Sequence, residues 1–233
     1  MNFTMSKSLA IIPARGGSKR IPKKNIKDFL GKPIIAYAIE TALASGLFDE
    51  VMVSTDDQGI AAIAKQFGAA VPFLRTEKNS DDFASTVDVI KEVEREYLSR
   101  FSKRFDSICC IYPTAPLIRK EHLAEGLTLL NTFNYDSVFP VVPFSYPVWR
   151  GLQLNDGKIE MVWPENKNVR SQDLKPVYHD AGQWYWYNPL RVTDSLFSSN
   201  SAPVILSEEE VQDIDTHSDW LMAEMKFRLL YEK

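Results

Sequence analysis

The sequence predicts an α/β fold in which a mostly parallel sheet is flanked by helices, with one small excursion in the second half. Three observations predict it. Short β-rich runs alternate with amphipathic stretches through the first half of the 233 residues. The segment DSICCIY is apolar enough for a strand buried on both faces. From about Pro143 to Pro176 that rhythm gives way to prolines, aromatics and a hairpin signal. Hydrophobic residues make up 45% of the chain and charged residues 25%, an ordinary globular balance.

Taken in order, SLAIIP reads as the first strand and PIIAYAIETALAS as a helix whose Ile34, Ile35, Ala38, Ile39, Ala42 and Leu43 form one apolar face. DEVMVST is the next strand, DQGIAAIAKQFG a second helix and AVPFLR a further strand-like run. A helix opens near Ser85 and turns Val87, Ile90, Val93, Tyr97 and Phe101 to one side. In DSICCIY, strand alternation sends Cys109 and Cys110 to opposite faces, as core thiols. PTAPLIRKEHLAEGLTLLNT is a loop and a helix, and DSVFPVV another strand. QLNDGKIEMVW turns at Asn155, Asp156 and Gly157 between two strand-like halves. GQWYWYN resumes strand character, and SDWLMAEMKFRLLYEK closes the chain as a helix capped by Ser218 or Asp219.

Composition excludes several functions. A net charge of -4 supplies no field for a nucleic-acid duplex. With two cysteines and three histidines at no ligand spacing, neither a disulfide scaffold nor a Cys/His metal centre is expected. The leader MNFTMSKSLA lacks the apolar core of a signal peptide, and no apolar run approaches the ~20 residues that span a bilayer, so a cytoplasmic location is expected. No nucleophile elbow of the GxSxG kind accompanies the histidines, which sets hydrolysis aside.

The strongest motif is IIPARGGSKRIPKKN. An apolar strand runs into a loop carrying Arg15, Lys19, Arg20, Lys23 and Lys24, two glycines and Asn25. Gly16 and Gly17 let backbone N–H groups approach anionic oxygens, and the cations suit a polyphosphate. One exposed ion pair at about 4 Å is worth only ~1 kcal/mol in water, so several must converge. The patterns GxxxxGKT and GxGxxG are absent, and a solvated basic loop is the plainer reading. Its place at the carboxyl end of the first strand is where open α/β sheets bind ligands.

A second cluster runs from Arg75 to Thr86, with Asp81, Asp82 and Ser85 also able to cap the following helix. In the third, Asp213-Ile214-Asp215, alternation turns both carboxylates to one face with Ile214 buried behind. Two aligned carboxylates suit Mg²⁺, which takes a few carboxylates together with water and phosphate, or they decorate a plain surface strand. Tyr178, Trp184 and Trp186 form either a sugar-facing aromatic surface or a structural cluster.

The basic loop, FLRTEKNSDDFAST, YPTAPL and VQDIDT occur in the order that resembles cytidylyltransferases activating sialic acids. Within that family, VRSQDLKPVYHDAG is most similar to the members that act on pseudaminic acid. Two departures from the sialic acid members, Tyr112 for a Gln and Asp180-Ala181-Gly182 for Asn-Gly-Ala, point the same way. The resemblance implies a Rossmann-like, nucleotidyltransferase-type core over 1–142 and 179–233, with a dimerisation and sugar-site excursion over 143–178.

It further implies that a sugar anomeric hydroxyl attacks the α-phosphorus of CTP and pyrophosphate leaves. Ala14, Arg15, Gly16, Gly17, Ser18 and Asn25 would bind nucleotide, with Arg15 and Lys23 or Lys24 on the phosphates and Lys19 facing pyrophosphate. Arg75, Ala84 and Thr86 would read cytosine, and Asp213 and Asp215 would hold Mg²⁺. Tyr112, Arg170, Gln172, Asp173, His179 and Asp180 would surround an acidic nine-carbon sugar, Arg170 taking its carboxylate. A homodimer is implied, its interface covering Phe144, Tyr146, Trp149 and Trp163, which otherwise pack back on their own sheet. Legionaminic acid, sialic acid and ketodeoxyoctulosonate remain alternative sugars, and a non-catalytic nucleotide-binding scaffold is the alternative of another class.

Overall fold

The structure, a computed structural model, describes residues 7–80 and 84–232; the first six residues of the leader and the capping candidates Asp81 and Asp82 lie outside the described residues. The first half builds β1 (Ser8–Pro13), β2 (Asp28–Phe29), β3 (Lys32–Pro33), α1 (Ile34–Ser45), β4 (Glu50–Ser54), α2 (Gln58–Gln66), α3 (Thr86–Phe101) and β5 (Ser107–Ile111). The second half adds α4 (Lys120–Phe133), β6 (Ser137–Pro143), β7 (Leu152–Asn155), β8 (Lys158–Met161), β9 (Tyr178–Asp180), β10 (Trp184–Tyr187), β11 (Ser201–Ile205) and α5 (His217–Tyr231).

Seven strands form the main sheet, in the order β11-β6-β10-β5-β1-β4, with β9 paired to β6. β1 is parallel to β4 and β5, and β6 to β11; β10 and β9 run against their neighbours. The antiparallel entry of β10 places Trp184 to Tyr187 in the centre of the sheet, all four buried. Helices cover both faces because successive strand residues feed opposite layers. Cys109 joins the layer with α1, α2 and α4, while Cys110 joins the layer with α3.

A third apolar cluster lies beside the sheet. Ile21 from the basic loop, Phe29, Ile34 and Tyr37 pack there with Ile214, Trp220 and Ala223, so the loop and the acidic segment share one core. Each fully buried Ile side chain contributes on the order of 1.5–3 kcal/mol to that association.

Local chemistry sets the helix starts. Ser85 caps α3 in a reciprocal capping box with Asp88. At α5 the cap is Thr216, two residues before Ser218 and three before Asp219; Asp219 supplies the reciprocal bond, so the expected cap residue is corrected. Leu43 and Phe101, expected on buried faces, are exposed at the last turns of α1 and α3, beyond the reach of the sheet. AVPFLR forms only one bridge, Met52 to Ala70, because Pro72 lacks the N–H to extend a ladder. Strand β11 has no counterpart in the sequence reading: Pro203 sits inside it, on the sheet's edge where a missing donor is tolerated.

Between β6 and β9 the chain leaves the main sheet and makes the separate β7–β8 hairpin, turned at Asp156 and Gly157, both at positive φ. Trp149 and Trp163 pack edge to face there, ring centroids 5.4 Å apart. Phe144, Tyr146, Leu152, Leu154 and Ile159 remain exposed. Among the described residues no helix is long and apolar enough to cross a membrane.

Candidate active site

A cavity of about 640 Å³ opens at the carboxyl ends of β1 and β5, lined by Pro13, Tyr112, Pro113 and Thr114 from the strand ends. Around them stand Arg15, Ser18, Lys19, Arg20, Lys24 and Asn25 of the loop, Arg75, Ala84 and Thr86 opposite, and both Asp213 and Asp215. Residues from four distant parts of the sequence thus line one cavity.

The end of β4 holds two of these parts. The Ser54 carbonyl accepts the Ala14 N–H at 2.9 Å and the Arg75 Nη2 at 2.6 Å. The Ser54 hydroxyl accepts Arg75 Nε at 3.1 Å, and the Thr55 carbonyl accepts the Arg75 N–H at 2.8 Å. Arg75 is therefore buried and fixed, its ionised form disfavoured by burial and supported by Asp56 and Glu92.

In the loop, Asn25 is buried and its Nδ2 donates to the Arg15 carbonyl at 2.9 Å, so it braces the loop as well as facing the cavity. Ser18 Oγ donates to the Ile21 carbonyl at 2.7 Å. Ala14, Gly16 and Gly17 sit behind the lining. The Gly16 N–H donates to Asp56 Oδ1 at 3.0 Å, and a Cβ there would meet Asp57 Oδ2 at 3.0 Å, so a larger residue would press on the Asp57 side chain. A Cβ on Gly17 would meet nothing within 4 Å. Lys23, outside the lining, adopts φ 53° to turn the chain into Lys24 and Asn25.

Asp213 and Asp215 face the cavity although their segment forms no strand; burial of Ile214 in the third cluster does the orienting instead. Burial and the neighbouring Asp215 charge raise the Asp213 carboxyl above its ordinary value, and Lys24 opposes the rise. Lys24 Nζ lies 3.6 Å from Asp215 Oδ1 and donates to the Ile214 carbonyl at 2.6 Å, while Arg20 Nη2 reaches Asp215 Oδ1 at 2.8 Å. Among the described residues no group of three or more His, Cys, Asp or Glu converges as a metal cage. Two repelling carboxylates on one wall fit a hard divalent cation that completes its shell with water and phosphate oxygens.

The residues expected around the sugar are divided. Tyr112 lines the cavity, its hydroxyl 3.1 Å from Thr86 Oγ1. Arg170 and Asp173 do not line it; they pair with each other at 2.8 Å across the exposed turn Ser171–Asp173. Gln172 lines a second cavity of about 680 Å³ within the excursion, with Phe144 and Tyr146. His179 and Asp180 are exposed on β9. Sequence reading missed Arg20 as a partner of Asp215 and Asp56 as the anchor of Gly16. The adjacent acids after β4 were the available signal for the second.

Residues 9–228 match the cytidylyltransferase family model. The chain is 41% identical over 229 residues to the pseudaminic acid cytidylyltransferase of Campylobacter jejuni subsp. jejuni serotype O:2, across 97% of this chain and 98% of that one. It is 36% identical over 237 residues to the CMP-N,N'-diacetyllegionaminic acid synthase of Legionella pneumophila, across 96% and 97% of the two chains. A solved CMP:2-keto-3-deoxy-manno-octonic acid synthetase, complexed with CTP, superposes with a TM-score of 0.68 at 18% identity, covering 98% of this chain and 100% of that one. That last likeness bears on the fold, which is the nucleotidyltransferase arrangement the motifs implied. A match over nearly the whole length, with relatives well above 30% identity, shows that the chain belongs to the cytidylyltransferase family.

Proposed function

We propose that this protein transfers CMP from CTP to the anomeric hydroxyl of pseudaminic acid and releases pyrophosphate. The observation that carries the reading is the single cavity in which a cationic loop, a fixed arginine and a carboxylate pair meet. The full-length similarity to pseudaminic acid cytidylyltransferases supports the choice of sugar.

In this reading Arg15, Lys19 and Lys24 bind the triphosphate, with Lys23 shaping the turn that presents Lys24. Arg75, Ala84 and Thr86 take the cytosine and Tyr112 adjoins the sugar. In-line displacement at the α-phosphorus needs chiefly alignment and charge stabilisation. Asp213 and Asp215 would hold Mg²⁺, which when bound neutralises charge on the phosphate oxygens. Arg20, paired with Asp215 at the surface, is free energetically to exchange partners, since exposed pairs contribute only ~0–1 kcal/mol.

We further place the excursion, 143–178, in a homodimer interface, supported by its exposed Tyr146, Leu154 and Ile159. Across that interface Arg170, Gln172 and Asp173 would serve the partner's sugar, with His179 and Asp180 beside it. The chain would act in the cytoplasm.

Pyrophosphate release from CTP and Mg²⁺ tests the reading, with pseudaminic, legionaminic and sialic acids and ketodeoxyoctulosonate offered separately. Release with pseudaminic acid at far the highest kcat/KM is expected. Preference for another sugar would keep the reaction and overturn the substrate, and silence with all four in folded protein would favour the scaffold alternative.

A further inference from the structure

One buried hydroxyl controls the carboxylate at the end of β9. Tyr185, in the central strand β10, is 2% exposed, and its hydroxyl donates to Asp180 Oδ2. The other oxygen, Asp180 Oδ1, accepts the Gly182 N–H at 3.1 Å. Burial first, then Tyr112 and Asp180, push the Tyr185 hydroxyl far above its ordinary value, so it remains a donor at neutral pH. Asp180 is thereby held from both oxygens while staying exposed. An ionised carboxylate has about four acceptor sites and no donor, so Asp180 retains capacity only for a donor group. A second carboxylate would be repelled.

The same tyrosine is tied to the cavity wall. Its ring lies 5.3 Å from that of Tyr112, whose hydroxyl meets Thr86 Oγ1 at 3.1 Å. Both Tyr112 and Thr86 line the cavity, so the Asp180 carboxylate is tied to the wall while its backbone is held in register with Val141 of β6.

We propose that Tyr185 is a positioning residue that holds Asp180 as acceptor for a hydroxyl or amide N–H of the sugar, and so directs the sugar's carboxylate to another part of the site. This rests on the reading of Asp180 as a sugar-binding residue. Tyr185 touches neither reacting group and acts through Asp180.

The test measures KM for pseudaminic acid and for CTP, by pyrophosphate release, in Tyr185→Phe, Asp180→Asn and the double variant. Tyr185→Phe keeps the ring and its packing. Loss of one charge-assisted hydrogen bond predicts a rise of about tenfold in the sugar KM with the CTP KM unchanged. That rise should vanish in the Asp180→Asn background. Asp180→Glu, an exposed change that moves the carboxylate off the Tyr185 hydroxyl, should give the same sugar-selective rise without disturbing the core. If Asp180→Asn raises the sugar KM and Tyr185→Phe does not, the role of Tyr185 is overturned while that of Asp180 stands. If neither changes it, both are overturned. An equal rise in both KM values would assign Tyr185 a merely structural role and overturn the proposal.

Discussion

Lys24 donates its ammonium to the carbonyl of Ile214, 2.6 Å away in space and 190 residues away in sequence. The bond closes the basic loop on the acidic segment, and the Ile21–Ile214 packing behind it does the same through apolar contact. The two carboxylates therefore ride on a structure that does not depend on them. Asp215→Ala is expected to abolish pyrophosphate release while the melting temperature changes little, because its pair with Arg20 is exposed and worth only ~0–1 kcal/mol and Lys24, at 3.6 Å, keeps its bond to the Ile214 carbonyl. A near-normal rate would remove Asp215 from the reacting centre.

Asp213 sits where its charged form is disfavoured. Its folded carboxyl value is raised by burial and by Asp215, so the folded state holds its proton more tightly than the unfolded chain does. That contribution to stability is fully present below the ordinary value of 3.8 and is lost as pH rises through the raised folded value. Asp213→Asn is expected to raise the melting temperature at pH 7.5, to lose that advantage as pH falls toward 4, and to eliminate turnover. Thermal melts across that range check it, and an unchanged difference at both ends would contradict the assigned cause.

Arg75 contacts Ser54 through two nitrogens of one planar fork. An ammonium on a flexible stem cannot reproduce that geometry. Arg75→Lys is expected to raise the KM for CTP about tenfold or more, as loss of one hydrogen bond from a charged group implies, with a smaller change in the sugar KM. Initial rates with each substrate varied in turn provide the check.

Leu154, 69% exposed on the β7–β8 hairpin, lies in the proposed interface. Leu154→Asp is expected to convert a dimer to monomer in sedimentation velocity and to weaken sugar turnover. The control Leu190→Asp, at an 84% exposed position outside the excursion, should leave the assembly unchanged. Identical sedimentation of Leu154→Asp and the parent would place any interface elsewhere.

The core of this arrangement was legible because local chemistry and tertiary structure agree at the decisive positions. Ser85 caps α3, the apolar DSICCIY lies in the centre of the sheet, and Ile214 is buried with its acids turned to the cavity. What was not legible depends either on a partner far away in sequence or on the geometry of a single turn. Nothing local tells that the Gly16 N–H is taken by Asp56, whereas the Thr216 cap is a local Thr-x-x-Asp box that competes with the nearby Ser218 and Asp219. Arg170 illustrates the same limit: its charge was evident, but its pairing with Asp173 is set by a turn of three residues that periodicity does not register.

The neighbouring thiols of β5 have a practical use. Cys109 and Cys110 are fully buried in opposite layers, and burial raises both above the ordinary thiol range, Cys110 to about 12. A thiol reagent reacts with the thiolate, so neither residue is labelled while its layer stays closed. One peptide bond thus separates two native probes, and the order in which they become labelled in denaturant would time the opening of each half of the molecule without any added dye or engineered cysteine.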